Sequence, residues 1–208
     1  MTDYVQPLIP AGCRPLSLHG SPPAGVGFWR RGVARGIDLA VHCLVTVGAL
    51  FAGVFLVALA FAVRGRSPDA AVERLSALSW EITLIPGLGA TAMHALAEGL
   101  HGSTIGKRLC GIAVIDQDGG PCQLVSAIKR SVAWHLDALI LGLVAAQSMS
   151  ESRRRQRIGD KWGRTMVVQI RYLAPVARRS KMRFVAVTAA ALALDGAIYF
   201  GWLVARML

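Results

Sequence analysis

Charge is scarce in this sequence, and acidic charge is the scarcest. Asp and Glu account for 12 of the 208 residues and Lys and Arg for 23, so that 17% of the chain is charged and 54% is apolar. Soluble domains carry about 25% charged residues, so the composition argues against a soluble globule and favours a protein that faces lipid. The formal net charge of +11 is then expected from the basic cytoplasmic segments of an inner-membrane protein, and we predict no nucleic-acid partner.

Paired cysteines and catalytic constellations are also missing. The four cysteines, at positions 13, 43, 110 and 122, form no C-x-x-C pair, which argues against a disulfide framework or a zinc site. His94 and Glu98, and likewise Asp38 and His42, have the i, i+4 spacing of metal ligands on a helix, but nothing in the sequence makes the two pairs converge. Because no Ser-His-Asp or Cys-His arrangement can be assembled, we predict no enzyme activity, no cofactor and no metal site.

The stretch 37–63 has no Lys or Arg and indicates a membrane-spanning helix. Its 27 residues contain Asp38 as the single acid, and about 20 apolar residues suffice to cross the hydrocarbon of a bilayer. The three arginines within 28–36 predict a cytoplasmic amino terminus. On a helix Arg31, Arg35 and Asp38 share one face, so we expect an ion pair near the helix entrance. The Pro- and Gly-rich residues 1–27 are predicted to form a flexible cytoplasmic tail.

Two further apolar runs are predicted to span the membrane. The run 75–97 contains the sequence PGLG at 86–89, which should kink its helix. The run 184–205 carries one acid near its middle, Asp195, which costs about 2.5–3.5 kcal/mol there unless it is protonated or paired. A stripe of small residues on this run predicts close approach of a protein partner or a second copy, and it comprises Ala189, Ala193, Ala197 and Gly201. The tryptophans expected at the membrane interface are Trp29, Trp80 and Trp202.

The polar region between these runs holds two β-type segments, 112–115 and 165–170. We predict that they pair as a small β-hairpin element on the cytoplasmic side. The segment 124–149 lies between them and ends in 12 charge-free residues, which reach about 18 Å, whereas the hydrocarbon is about 30 Å thick. We therefore predict that this segment is interfacial or re-entrant, and the alternative is a further span with Asp137 buried between helices. The predicted fold class is an all-α integral membrane protein with three to four transmembrane helices.

Three stretches, FWRRGVARGID (28–38), EGLHGSTIGKRLCGIAVID (98–116) and RRRQRIGDKWGRTMVV (153–168), resemble the RDD family of bacterial membrane proteins. The resemblance implies that the family's arginine is Arg31 and that its two aspartates are Asp38 and Asp160. It further implies a membrane domain, which we place over 28–173. The basic linker and carboxyl-terminal transmembrane helix predicted over 174–208 lie outside the resemblance, and we expect the whole chain to be a multi-pass inner-membrane protein. Transport, including sodium/proton exchange, has been suggested for some members.

Two functions remain open from the sequence. The first is a structural or accessory membrane module that binds anionic lipid through basic residues. The predicted headgroup contacts are Lys107, Arg108, Arg153, Arg154, Arg155 and Arg157. The second is a small transporter that exchanges cations against protons, and its candidate ion or proton site comprises Asp38, Glu98 and Asp195. The exchanger requires these three carboxylates to converge on one path, whereas the accessory module does not.

Overall fold

A computed structural model describes residues 25–65, 81–173 and 180–207, together with 67, 69, 73 and 76. The described chain is mostly helical, and its helices are α1 (Phe28–Val63), α2 (Glu81–His101), α3 (Ile105–Leu109), α4 (Leu124–Asp137), α5 (Leu143–Ser150), α6 (Ile158–Trp162) and α7 (Lys181–Met207). Its strands are β1 (Ile112–Asp116) and β2 (Thr165–Gln169). Most of the predicted tail, Trp80 and most of the predicted basic linker lie outside the described residues.

The long helices α1 and α7 run in the same direction. In the first half of α1, His42 lies beside Asp195, and the last turns of both helices meet where Phe61 and Met207 share one apolar cluster. Gly53, between these points, brings α1 so close to α7 that an added Cβ would lie 2.6 Å from Leu203 Cδ2. The two helices therefore begin at the same end of the molecule.

Helix α2 runs in the opposite direction to α7. Its last residue, His101, contacts Phe184 at the start of α7 with 5.0 Å between the ring centres. At the other end Glu81 pairs with Arg206, with 2.6 Å between Oε1 and Nη2. Pro86 lies inside α2, which continues without interruption to His101, so the PGLG sequence does not end this helix. The three long helices form an up-down-up bundle.

The apolar sides of α1 and α7 face outwards. Among the described helices these two are long and apolar enough to cross a membrane. Within an apolar stretch of 18 residues in each helix, only 17% is buried inside the structure. Core helices of a soluble protein are mostly buried, so the exposed apolar surface indicates lipid. On α1 it includes Leu44, Val47, Phe51, Phe55 and Leu59.

The predicted stripe of small residues lies on the exposed side of α7. Ala189, Ala193, Ala197 and Gly201 are all exposed. The side that packs against α1 and α2 instead comprises Ala191, Asp195, Tyr199, Leu203 and Met207. The stripe therefore mediates no packing within the described chain.

The two β-type segments form an antiparallel two-stranded sheet in which Val114 pairs with Val167 and Asp116 with Thr165. The sheet is not a hairpin, because helices α4, α5 and α6 lie between its strands in the chain. One face packs with Val26 and Ala34 of the amino-terminal region. The sheet is thereby attached to the first turns of α1.

The segment 124–149 is not one continuous helix. Helix α4 ends at Asp137, a 3₁₀ turn covers Leu139–Gly142, and α5 follows. Left-handed backbone angles at Ile140 (φ 51°) and Gly142 (φ 83°) separate the two helices. The 14 residues of α4 are about 21 Å long, so α4 by itself is too short to cross hydrocarbon about 30 Å thick.

Helix α4 presents charge inwards and apolar side chains outwards. Arg130 and Asp137 are each 1% exposed. The outward side carries Val125, Ile128, Val132 and Leu136, which are 42–62% exposed. This orientation suits an amphipathic helix whose outer side contacts lipid.

Candidate functional site: a buried ion network

The network is organised around Asp160, which α6 holds completely buried. Arg31 Nη1 donates to Asp160 Oδ2 at 2.5 Å, and Arg130 Nη1 donates to Oδ1. The backbone N–H of Arg157 also donates to Oδ2 at 3.1 Å. Burial alone would raise the pKa of Asp160, but the neighbouring arginines, Arg130 first, hold that pKa well below its usual range. Asp160 is thus ionised and joins α1, α4 and α6.

A second group of ion pairs extends the network to α2 and α3. Glu98 accepts from Arg130 Nε at 3.0 Å and from the ammonium of Lys107. Burial lowers the pKa of Lys107, and the pair with Glu98 opposes that effect. Burial also disfavours the charged form of Arg130, but Asp160 and Glu98 together raise its pKa above the ordinary value. Arg130 therefore connects both carboxylates and stays charged.

Asp38 has a different role from the one predicted for it. It forms none of the ion pairs among the described residues, so the expected pair with Arg31 or Arg35 is wrong. Its carboxylate accepts instead from Thr104 Oγ1 at 2.6 Å and from the Gly106 backbone N–H at 2.7 Å. These donors lie at the amino terminus of α3, where free N–H groups favour an anion. Asp38 thus attaches α3 to α1.

Gly106 explains why this attachment can be so close. A Cβ at this position would collide with the backbone oxygen of Ala34 and would lie 3.1 Å from Asp38 Cγ. The sequence GSTIGKR (102–108) resembles a phosphate loop only superficially, because Thr104, Gly106 and Lys107 are hydrogen-bonded to Asp38 and Glu98. Its function in the fold is to join α1 and α2 through Asp38 and Glu98.

Asp137 forms a smaller junction between α4 and α6. It accepts from the backbone N–H groups of Ile158 at 3.2 Å and Gly159 at 3.3 Å, and Arg157 Nε lies 3.7 Å away. Burial raises the pKa of Asp137, although Arg157 and the two N–H donors oppose this effect.

Two cavities adjoin the network. The smaller one has a volume of about 30 Å³, and its charged lining includes Arg35, Asp38, Glu98, Lys107 and Arg130. That volume holds one or two water molecules. The larger one, about 230 Å³, lies between α1, α4 and α5 and shares four residues with the smaller one. The shared residues are Arg31, Arg35, Trp134 and Arg157.

The three carboxylates of the predicted ion or proton site do not converge. Asp38 and Glu98 line the smaller cavity, whereas Asp195 does not. Asp195 lies between the long helices, where His42 Nδ1 and Asp195 Oδ2 are 2.7 Å apart and both side chains are buried. Gly89 of α2 leaves room for this carboxylate, because an added Cβ would collide with Asp195 Oδ1. Asp195 therefore lies in a buried site separate from that of Asp38 and Glu98.

The residues predicted to bind lipid headgroups divide into outward and inward groups. Arg153, Arg154 and Arg155 are exposed. Arg108 is half-buried over the ring of Phe184, at 5.8 Å. Lys107 does not reach outwards, because it is buried against Glu98, and Arg157 lines both cavities. The headgroup prediction is therefore wrong for Lys107.

The sequence-based search did not single out Arg130, Thr104 or the His42–Asp195 pair. Arg130 and Asp137 lie seven residues apart on α4, opposite its apolar side, and this pattern was a usable signal that both point inwards. No local signal links Thr104 to Asp38 or His42 to Asp195, because each pair is joined by packing of distant helices.

Helices with apolar outer sides, and ionised side chains that meet inside, define this molecule as a membrane protein. The RDD family model matches residues 26–164, which is two thirds of the chain, and the chain belongs to the RDD family. The match includes Arg31, Asp38 and Asp160. Comparisons with curated proteins and with solved structures found no match.

Proposed function

We propose that this RDD protein is a three-span accessory module of the bacterial inner membrane, with its ion network and basic surface in the cytoplasm. The observation that carries the proposal is that Asp38, Glu98 and Asp160 are each satisfied by donors of the same chain. A cation exchanger needs carboxylates that are free to bind and release an ion. Carboxylates whose oxygens are already hydrogen-bonded to donors of several helices instead join those helices into a rigid platform.

The directions of the long helices support three spans. Since α1 and α7 are parallel and α2 is antiparallel to them, residues 102–180 leave and re-enter the bundle at the end where α1 begins. Residues 102–183 contain fifteen Lys and Arg, whereas the loop 64–80 contains three. The positive-inside rule assigns the more basic end to the cytoplasm. Helix α4, with its apolar outer side, then lies at the cytoplasmic interface without crossing.

Reporter insertions test this topology. Green fluorescent protein inserted after Asp118, an exposed turn residue, should fluoresce because it remains in the cytoplasm. Alkaline phosphatase inserted after Ser67, at the opposite end of the bundle, should be active because it is exported. Active phosphatase after Asp118 would refute the proposed orientation.

The basic surface supports a lipid-binding role. Arg153, Arg154 and Arg155 are exposed beside the interfacial segment, and each basic residue near an anionic membrane contributes about 1 kcal/mol. In mild detergent, the triple Gln variant should retain several-fold less phosphatidylglycerol per protein than the wild type, by mass spectrometry of co-purified lipid. Arg64→Gln, at the opposite end of α1, is the control and should retain the wild-type amount. Equal retention by the triple variant would refute the role.

The His42–Asp195 pair favours one alternative, proton-coupled cation exchange. A buried His–Asp pair between long helices can bind and release a proton. In proteoliposomes, Na⁺ flux driven by a pH gradient, present in the wild type and lost in Asp195→Asn, would establish exchange. No flux above protein-free vesicles would leave the accessory module as the function.

A further inference from the structure

Among the described residues Arg35 forms no ion pair within 4 Å, and the carboxylates of Glu98 and Asp38 act on it only from farther away. Its guanidinium carbon lies 4.1 Å from the ring centre of Trp134, and its side chain lines both cavities. The other four cations of the network, Arg31, Lys107, Arg130 and Arg157, each lie within 4 Å of a carboxylate. A cation held among other cations in a partly buried place is costly without a counter-ion. Arg35 is therefore positioned for an anion from outside the chain.

Two further donors in the same place lack a hydrogen-bond partner. They are Arg130 Nη2 and Arg157 Nε, and both atoms are buried. Arg130 is 1% exposed and lines the smaller cavity, while Arg157 lines both. Buried polar atoms are almost always hydrogen-bonded. Water in the smaller cavity can serve Arg130 Nη2, so the donor that bears on the larger cavity is Arg157 Nε, whose nearest carboxylate oxygen, Asp137 Oδ2, is 3.7 Å away and beyond hydrogen-bond distance.

The charge balance of the network points to an anion. Its cations are Arg31, Arg35, Lys107, Arg130 and Arg157, and its carboxylates are Asp38, Glu98, Asp137 and Asp160. The cations exceed the carboxylates by one. A phosphodiester carries a single negative charge and would balance this excess, and guanidinium groups bind phosphate oxygens through paired N–H donors.

The larger cavity also has an apolar side. Phe28, Ala138, Ala145 and Met149 line it. Ile140 and Leu143, which flank the lining residue Gly142 in the chain, are 70% and 62% exposed. An apolar entrance next to a cationic interior fits a ligand with a charged head and an apolar remainder.

We propose that the larger cavity binds the phosphate group of an anionic ligand. Arg35 and Arg157 bind the phosphate oxygens, and Trp134 holds Arg35 in position. The phosphate can belong to a lipid headgroup or to a small soluble ion, and the apolar entrance leads us to expect the lipid. This internal site is separate from the exposed arginines 153–155 of the proposed accessory role.

Direct binding measurements on the purified full-length protein in neutral detergent test the site. The probes are dihexanoyl phosphatidylglycerol and inorganic phosphate, and the readout is the Kd from calorimetric titration. Arg35→Gln should weaken binding about tenfold or more, since a hydrogen bond to a charged group contributes about that factor. Arg35→Lys keeps the positive charge but lacks the planar guanidinium group, so its Kd should lie between those of the wild type and Arg35→Gln. Arg64→Gln is the matched control and should bind like the wild type.

Each outcome has a definite meaning. Binding of the short-chain lipid alone, weakened by Arg35→Gln, supports the site and identifies the source as lipid; binding of both probes, weakened alike, supports a site for phosphate from either source. The site is refuted if neither probe binds the wild type, or if Arg35→Gln binds as tightly as the wild type. Should Arg35→Gln fail to fold, Arg157→Lys replaces it, because it keeps the charge and removes the Nε donor. The triple variant of arginines 153–155 should bind the short-chain lipid normally, which separates this site from the surface role.

Discussion

At the scale of single residues, Asp160 is the most consequential charge in the molecule. Asp160→Asn leaves Arg31 and Arg130 buried with less compensation, and breaking a buried ion pair in this way costs about 3–5 kcal/mol. We expect the midpoint of thermal unfolding in detergent to fall by on the order of 10 °C. Asp118→Asn, in an exposed turn, is the control and should unfold like the wild type. An unchanged midpoint for Asp160→Asn would show that the arginines find other partners.

The stabilisation of the fold by Asp160 should depend on pH. The pKa of Asp160 in the fold lies below the unfolded value of about 3.9, so the folded state binds fewer protons than the unfolded state. Its stabilisation is therefore complete above the unfolded pKa and is lost as the pH falls through the folded pKa. The difference in unfolding midpoint between the wild type and Asp160→Asn should stay constant from pH 7 to about pH 4 and shrink below it. A difference that vanished already near pH 6 would contradict this assignment.

At the scale of elements, the attachment of α3 to α1 depends on Gly106. Gly106→Ala puts a Cβ against the Ala34 backbone oxygen, which a rigid helix cannot avoid, and overpacking of this kind costs about 1–3 kcal/mol. Gly36→Ala on α1 is the matched control, because nothing lies within 4 Å of its added Cβ. Thermal unfolding should show a lower midpoint for Gly106→Ala alone. Equal midpoints would mean that α3 can move away from α1 without cost.

The elements themselves were largely predictable from the sequence. Apolar run length located α1 and α7, and two short β-type runs located both strands. Their pairing partners were harder, because contacts such as those between α3 and α1 join residues far apart in sequence. Asp38 illustrates the limit: spacing on its own helix favoured Arg31 and Arg35, but Thr104 and Gly106 of α3 supplied better donors. Local spacing states which residues can meet, and packing decides which of them do.

At the scale of the whole molecule, polar side chains lie inside and apolar side chains outside at the end where α1 begins. Sequence hydropathy predicts the lipid-facing surfaces, but it cannot predict that Arg31, Arg130 and Asp160 meet, since α1, α4 and α6 contribute one residue each. The family motif identified two of these three residues. The third, Arg130, reaches the site because α4 packs against α2 and α6.

The up-down-up order of the long helices is the property on which topology and site both depend, and cross-linking tests it directly. Glu81→Cys with Arg206→Cys should be joined by a short bis-maleimide, because the two side chains pair at one end of the bundle. Glu81→Cys with Arg183→Cys should not be joined, since the 23 residues from 183 to 206 on α7 separate these positions by about 35 Å.

A protease site inserted after Asp118 lets the product be measured as two fragments that stay together on a denaturing gel. The parent protein, with its natural cysteines, sets the background. Cross-linking of the second pair but not of the first would show that α2 runs parallel to α7. The long helices would then not share the end at which the ion network is assembled.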